Sequence, residues 1–167
     1  MRVFLLIATL VVFGSQVFAQ KSVAPPADHA TAEEVQKWLV TSLVKYGSFK
    51  TRTSVLDISN AKFEVCTLTY TVTRKSGSTS TATMGATRTV NTIKEDVSID
   101  AALMSDEGVK LSDHVYPELQ TIEIALKKGQ VSGLGEDRVI ELVVKLEAGK
   151  AIRTALIHAA RDCASKN

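Results

Sequence analysis

The chain has 167 residues, with 20 Lys and Arg against 18 Asp and Glu and 5% aromatic residues. A near-neutral chain with interspersed signs lacks the electrostatic footprint of a nucleic-acid binder, and it has no basic block for a membrane surface. Scarce aromatics leave little material for base-stacking platforms or sugar-binding shelves.

The first residues, "MRVFLLIATLVVFGSQVFAQ", carry one basic residue, Arg2, and then an apolar run from Val3 to Phe13. Gly14, Ser15 and Gln16 follow, and Val17 and Ala19 occupy the small positions read by an export peptidase. This pattern predicts a signal peptide over 1–19, cut between Ala19 and Gln20. The apolar run is too short to span a bilayer, and no later stretch is long and apolar enough. The expected location is secreted or periplasmic. The mature chain suits one domain with a real core.

Pro25 and Pro26 make 20–30 an extended lead-in to a single domain over 31–167. Thr31 then caps a helix, with Glu34 completing a capping box. Val35, Trp38, Leu39, Leu43 and Tyr46 recur at helical spacing up to Gly47, so a helix is predicted over 31–46. Trp38, the sole tryptophan, and Tyr46 are read as core anchors or as walls of a ligand pocket.

From residue 51 the period becomes two. "TRTSVLDIS" reads as a first strand and "KFEVCTLTYTVTR" as the clearest strand. Cys66, Leu68, Tyr70 and Val72 alternate with Val65 and a run of threonines, giving one apolar and one wet face. Leu68 and Tyr70 join the core-or-pocket set. "RKSGSTS" reads as a turn, after which "TATMGATRTVNTI" returns. Ten of the 26 residues from Thr67 to Thr92 are threonine. Strand propensity on a solvated face accounts for them better than a hydroxyl array built for an ordered surface, because their spacing is irregular. "EDVSID", "VKLSD", "ELQTIEIALKKG" and "DRVIELVVKLE" are further strands, with "AALMSDEG" a turn or single helical turn and "GQVSGLGED" a glycine-rich connection. The sum is about seven strands in one antiparallel sheet curled into a roll or barrel.

The last helix is predicted over about 148–163. Ile152, Ala155, Leu156, Ala159, Ala160 and Cys163 fall on one stripe, with Leu156 in the core-or-pocket set. Cys66 and Cys163 both face the layer between sheet and helix, so they are expected to form a disulfide in an oxidising compartment. The architecture is thus α+β: a curled antiparallel sheet, an N-terminal helix and a packed C-terminal helix.

From "KFEVCTLTYTVTR" to "AIRTALIHAARDC" the chain resembles small pleckstrin-homology-like rolls, in which the last helix plugs one end of the barrel. It also resembles uncharacterised exported bacterial proteins with one cysteine in an early strand and another in a terminal helix. The resemblance implies a binding or scaffolding domain and supplies no catalytic residues. The dense basic loop of phosphoinositide binders is missing: "TRKSG" offers only Arg74 and Lys75.

Catalytic patterns are weak. His29, His114 and His158 are far apart in sequence, and no metal motif includes them, so neither a metal nor a cofactor is expected. Asp113, His114 and Glu118 are the densest polar cluster. They read as a solvated loop, with a weak metal site or an acid–base pair as the alternative. Glu95–Asp96 and Asp106–Glu107 read as neighbours in turns. The expected function is a non-enzymatic binding or scaffold domain, a monomer with a protein or small-molecule partner. The alternative is a carrier holding a small apolar ligand in the barrel or the sheet–helix interface.

Overall fold

The computed structural model describes residues 23–27, 29–51, 53–82, 85–127 and 139–166, with side chains described outside 78–89. The signal segment, its cleavage point, the start of the lead-in and the whole glycine-rich "GQVSGLGED" connection lie outside the described residues.

Helix α1 runs Ala32–Tyr46. The Thr31 backbone N–H donates to Glu34 Oε2 at 2.8 Å, and the Glu34 N–H donates back to Thr31 Oγ1 at 3.3 Å. These bonds satisfy orphan donors of the first turn and hold the Glu34 carboxyl below its ordinary range. At the other end Gly47 keeps a right-handed φ of −84°. The residue is glycine here because of space: a Cβ would collide with Ile58 and come within 2.7 Å of the Leu43 carbonyl oxygen.

Strands β1 (Phe49–Lys50), β2 (Ser54–Glu64), β3 (Thr67–Ala82) and β4 (Gly85–Asp100) form one antiparallel sheet in that order. A turn of 3-10 helix, Ala101–Leu103, leads into β5 (Met104–Asp113), β6 (Leu119–Leu126) and β7 (Val139–Lys145), a second antiparallel sheet. Helix α2 runs Leu146–Ala164 and closes the chain.

Four expectations need correction. The seven strands do not share one sheet. They divide into sheets of four and three, with no closed barrel among the described residues. "KFEVCTLTYTVTR" is not one strand. Glu64 pairs with Thr67, so Val65 and Cys66 form a two-residue hairpin turn between β2 and β3. Their φ angles of 43° and 64° are the left-handed pair that such a turn requires, filled by residues that carry no turn signal. "RKSGSTS" does not turn: it continues β3, and Gly77 lies opposite Val90 within the ladder. Glu95–Asp96 and Asp106–Glu107 lie in strands β4 and β5 rather than in turns.

The core sits between the two sheets and under the helices. Val35, Leu39 and Leu43 of α1, Leu68 and Tyr70 of β3, Ile122 and Ile124 of β6, and Ile152 and Leu156 of α2 are all buried in it. The α2 stripe of Ala148, Ala151, Ala155, Ala159 and Ala160 is buried as well. Such small side chains let a helix approach closely but bury little area each. Polar ties supplement them. Arg153 Nε donates to the Val109 carbonyl at 2.8 Å, and Arg161 Nε donates to Asp106 Oδ2 at 3.0 Å. Cys163, fully buried, is disulfide-bonded to Cys66 with the Cα atoms 5.6 Å apart. No helix among the described residues is long and apolar enough to cross a membrane.

Candidate functional site

The inner face of the first sheet changes character along its length. Register places Phe63, Leu68 and Ile99 in one row across β2, β3 and β4. The row of Ile58, Val72 and Glu95 lies further along, and then the row of Leu56, Arg74 and Ile93. The same alternation that aims Leu68, Tyr70 and Val72 at the core therefore aims Arg74 inward too, and in β4 it takes Glu95 inward after Ile99 and Val97. A charged group in a core-facing phase costs desolvation unless the interior opens to water there. It does open there.

A groove of about 300 Å³ lies at that point, lined by Leu56, Ile58, Tyr70, Val72, Arg74, Glu95 and Val97 on one wall. The other wall is Val139, Ile140, Glu141, Leu142 and Val143 of β7. Its volume is at the small end of ligand pockets. Arg74, Glu95 and Glu141 are exposed at its mouth, while Ile58, Val72, Val97, Ile140 and Leu142 are buried at its base. Tyr70 is 3% exposed. Burial pushes its hydroxyl up to about 12, Glu95 pushes the same way, and Arg74 opposes both. A neutral, buried phenol is thus part of the apolar floor, within electrostatic reach of a carboxylate and a guanidinium at the mouth. That set can seat an apolar group and orient a polar one. Its mouth carries two carboxylates against one guanidinium, with a bias toward cationic partners.

Other predicted positions fall elsewhere. Leu68 and Leu156 are fully buried core, and Trp38 and Tyr46 pack half-buried against that core, away from the groove lining. Of the core-or-pocket set only Tyr70 reaches the groove. Asp113 ends β5 and Glu118 is exposed, while His114 Nδ1 accepts the Tyr116 N–H at 3.1 Å and its ring stacks on Tyr116. Glu118 lines a separate hollow with Phe49, Lys50, Leu119, Lys145 and Glu147 that includes neither Asp113 nor His114. His29, His114 and His158 stand on a turn, a loop and a helix, and no three metal-type ligands converge among the described residues. On the outer face of the first sheet, Thr71 Oγ1 donates to Asp96 Oδ1 at 2.8 Å and Thr73 is buried. These threonines belong to the sheet's own packing.

Arg74, Glu95 and Glu141 were not singled out as site residues from sequence. A signal existed for the first two: Arg74 follows three apolar residues in the inward phase of its strand, Leu68, Tyr70 and Val72, and Glu95 interrupts the inward phase of Ile93, Val97 and Ile99. No family model matches this chain, and no curated protein or solved structure matches it.

Proposed function

We propose that the protein is an exported, non-enzymatic binding domain whose recognition surface is the groove between the first sheet and β7. The observation that carries this reading is the pair of exposed charges Arg74 and Glu95 over an apolar floor that includes Tyr70, at the open seam between the two sheets. Export is supported by the Cys66–Cys163 bridge, which persists in oxidising compartments, and by the leader pattern ending at Ala19. The order of four strands, three strands and a terminal helix supports a roll of the pleckstrin-homology-like kind, open along one seam. The second reading, a carrier of a small apolar ligand, draws on the groove's apolar floor. The charged mouth and the modest volume favour a partner that stays partly outside.

The test is native mass spectrometry of the chain as secreted by its own host, with a thiol trap present, alongside a charge-swapped R74E/E95R variant. A chain that starts at Gln20, with unlabelled cysteines and a partner mass that the variant loses, is the expected result. A small apolar adduct retained by both would favour the carrier. Robust turnover in a hydrolase panel that vanishes in His114→Ala would sink the binding reading.

A further inference from the structure

The two walls of the groove are built differently. The first-sheet wall uses alternate residues: Leu56 and Ile58 on β2, Tyr70, Val72 and Arg74 on β3, Glu95 and Val97 on β4. Alternate residues line a wall when a strand shows its face. The β7 wall uses five consecutive residues, Val139 to Val143. Consecutive residues of both parities line a wall only when a strand shows its edge, with backbone N–H and C=O groups directed at the gap. Among the described residues β7 is the last strand of its sheet and pairs only with β6. Among the described residues no backbone hydrogen bond joins β7 to the first sheet. The groove is therefore an unpaired strand edge held over the apolar face of another sheet.

Unpaired edges are templates for a further strand, and native proteins blunt them where pairing is unwanted. Here the edge is left open beside a floor with room for apolar side chains. The main-chain ladder supplies affinity in such strand addition, and pockets for alternate side chains supply selectivity. Glu95 and Glu141 stand at the mouth with only Arg74 to offset them, so the complementary ligand carries positive charge.

We propose that the β7 edge takes an extended peptide segment of another protein as an added strand. Alternate apolar side chains of that segment enter the groove, and a basic side chain meets Glu95 and Glu141. This inference rests on the groove being the recognition surface. It goes further in naming the ligand class and the backbone that holds it.

The experiment uses the full secreted, disulfide-intact chain as bait for a phage-displayed library of random linear peptides. Selected peptides are then synthesised plain and N-methylated at single successive positions. Amide exchange of β7 and methyl spectra of Val72, Val97, Ile140 and Leu142 are recorded with each. The expected result is an alternating apolar pattern with a Lys or Arg, and exchange at the Val139–Val143 edge slowed by about tenfold or more. N-methylation abolishes binding only at alternate positions, and the E95K/E141K variant loses basic peptides by about tenfold or more while its methyl spectrum stays folded. Peptides that shift the groove methyls without protecting β7, and that tolerate N-methylation everywhere, overturn strand addition but keep the groove as a binding site. An apolar probe such as anilinonaphthalene sulfonate that shifts those methyls when no peptide is enriched overturns the peptide ligand and favours the carrier. Silence from both overturns the groove reading itself. Concentration-dependent β7 protection without peptide assigns the edge to a second copy of the chain and overturns the proposal.

Discussion

Removing the Cys66–Cys163 bridge tests how the last helix is held. The cysteines are 97 positions apart. Chain-entropy reasoning for a closed loop of that length gives about 4.7 kcal/mol at 25 °C, acting through the unfolded state. Cys163 is also fully buried on α2, so truncating it to alanine adds a small void, worth about 1 kcal/mol. The C66A/C163A variant should therefore lose about 4–6 kcal/mol in urea unfolding. Its Tm should fall by roughly 10–20 °C. Because the unlinked chain expands on unfolding, the urea m-value should rise. Against a typical total of about 5–15 kcal/mol, that leaves the fold marginal. A loss under about 1.5 kcal/mol with an unchanged m-value would refute the reasoning. It would mean that the alanine stripe, with Ile152 and Leu156, docks α2 unaided.

Other substitutions probe other links. Val65 is a β-branched residue at φ 43° with its side chain 98% exposed, so it carries backbone strain with no packing in return. Val65→Asn should stabilise by about 1 kcal/mol in the same urea assay. Gly47→Ala should destabilise by about 1–3 kcal/mol, because the Leu43 carbonyl that its Cβ meets is backbone and cannot swing away. The Tyr70 hydroxyl should ionise near pH 12, a step in ultraviolet absorbance that is missing from Tyr70→Phe. Its folded value lies above the ordinary 10, so the stability it contributes, about 3 kcal/mol, is complete below pH 10 and is lost as pH rises toward 12. Glu95→Gln should lower that step while leaving it above 10, because burial is the larger cause.

Local patterns were legible and long-range ones were not. The capping box at Thr31–Glu34 and the stripe from Ile152 to Cys163 depend on neighbours within a few residues, and both occur at the expected positions. The alternation of Leu68, Tyr70 and Val72 likewise marks a buried face. The turn at Val65–Cys66 is invisible locally, because both residues favour strands and the left-handed φ values are imposed by the pairing of β2 with β3. Ser76 to Ser78 mislead in the opposite sense: turn-forming residues are held extended by a partner strand. The groove depends on where β7 lies relative to the first sheet, which no residue of β7 announces. Arg74 and Glu95 were nevertheless readable as misfits in phase, and a misfit in an otherwise consistent pattern is where function tends to sit.

Those two charges admit a competing account. Inward-pointing charges also discourage strand edges from pairing with other chains; β4, which carries Glu95, is an edge strand of its sheet among the described residues, and Arg74 of β3 stands in the next row. On that account Arg74 and Glu95 guard the fold and bind nothing. Replacing both with leucine separates the ideas. Each leucine would lie beside apolar neighbours, Leu56 and Ile93 or Ile58 and Val72, at positions exposed at the groove mouth that its side chain would partly cover. Half-burial of a leucine contributes on the order of 1 kcal/mol. R74L/E95L should thus unfold about 1–2 kcal/mol later in urea, as expected when functional residues are kept at some cost in stability. If the charges serve recognition, the variant keeps the parent's elution volume in size-exclusion chromatography and loses binding of basic ligands. If they only guard the edge, the variant self-associates and its groove still takes those ligands. A variant less stable than the parent would contradict both accounts. It would show that the guanidinium and carboxylate are satisfied by partners inside the groove, so that the seam is a finished part of the core.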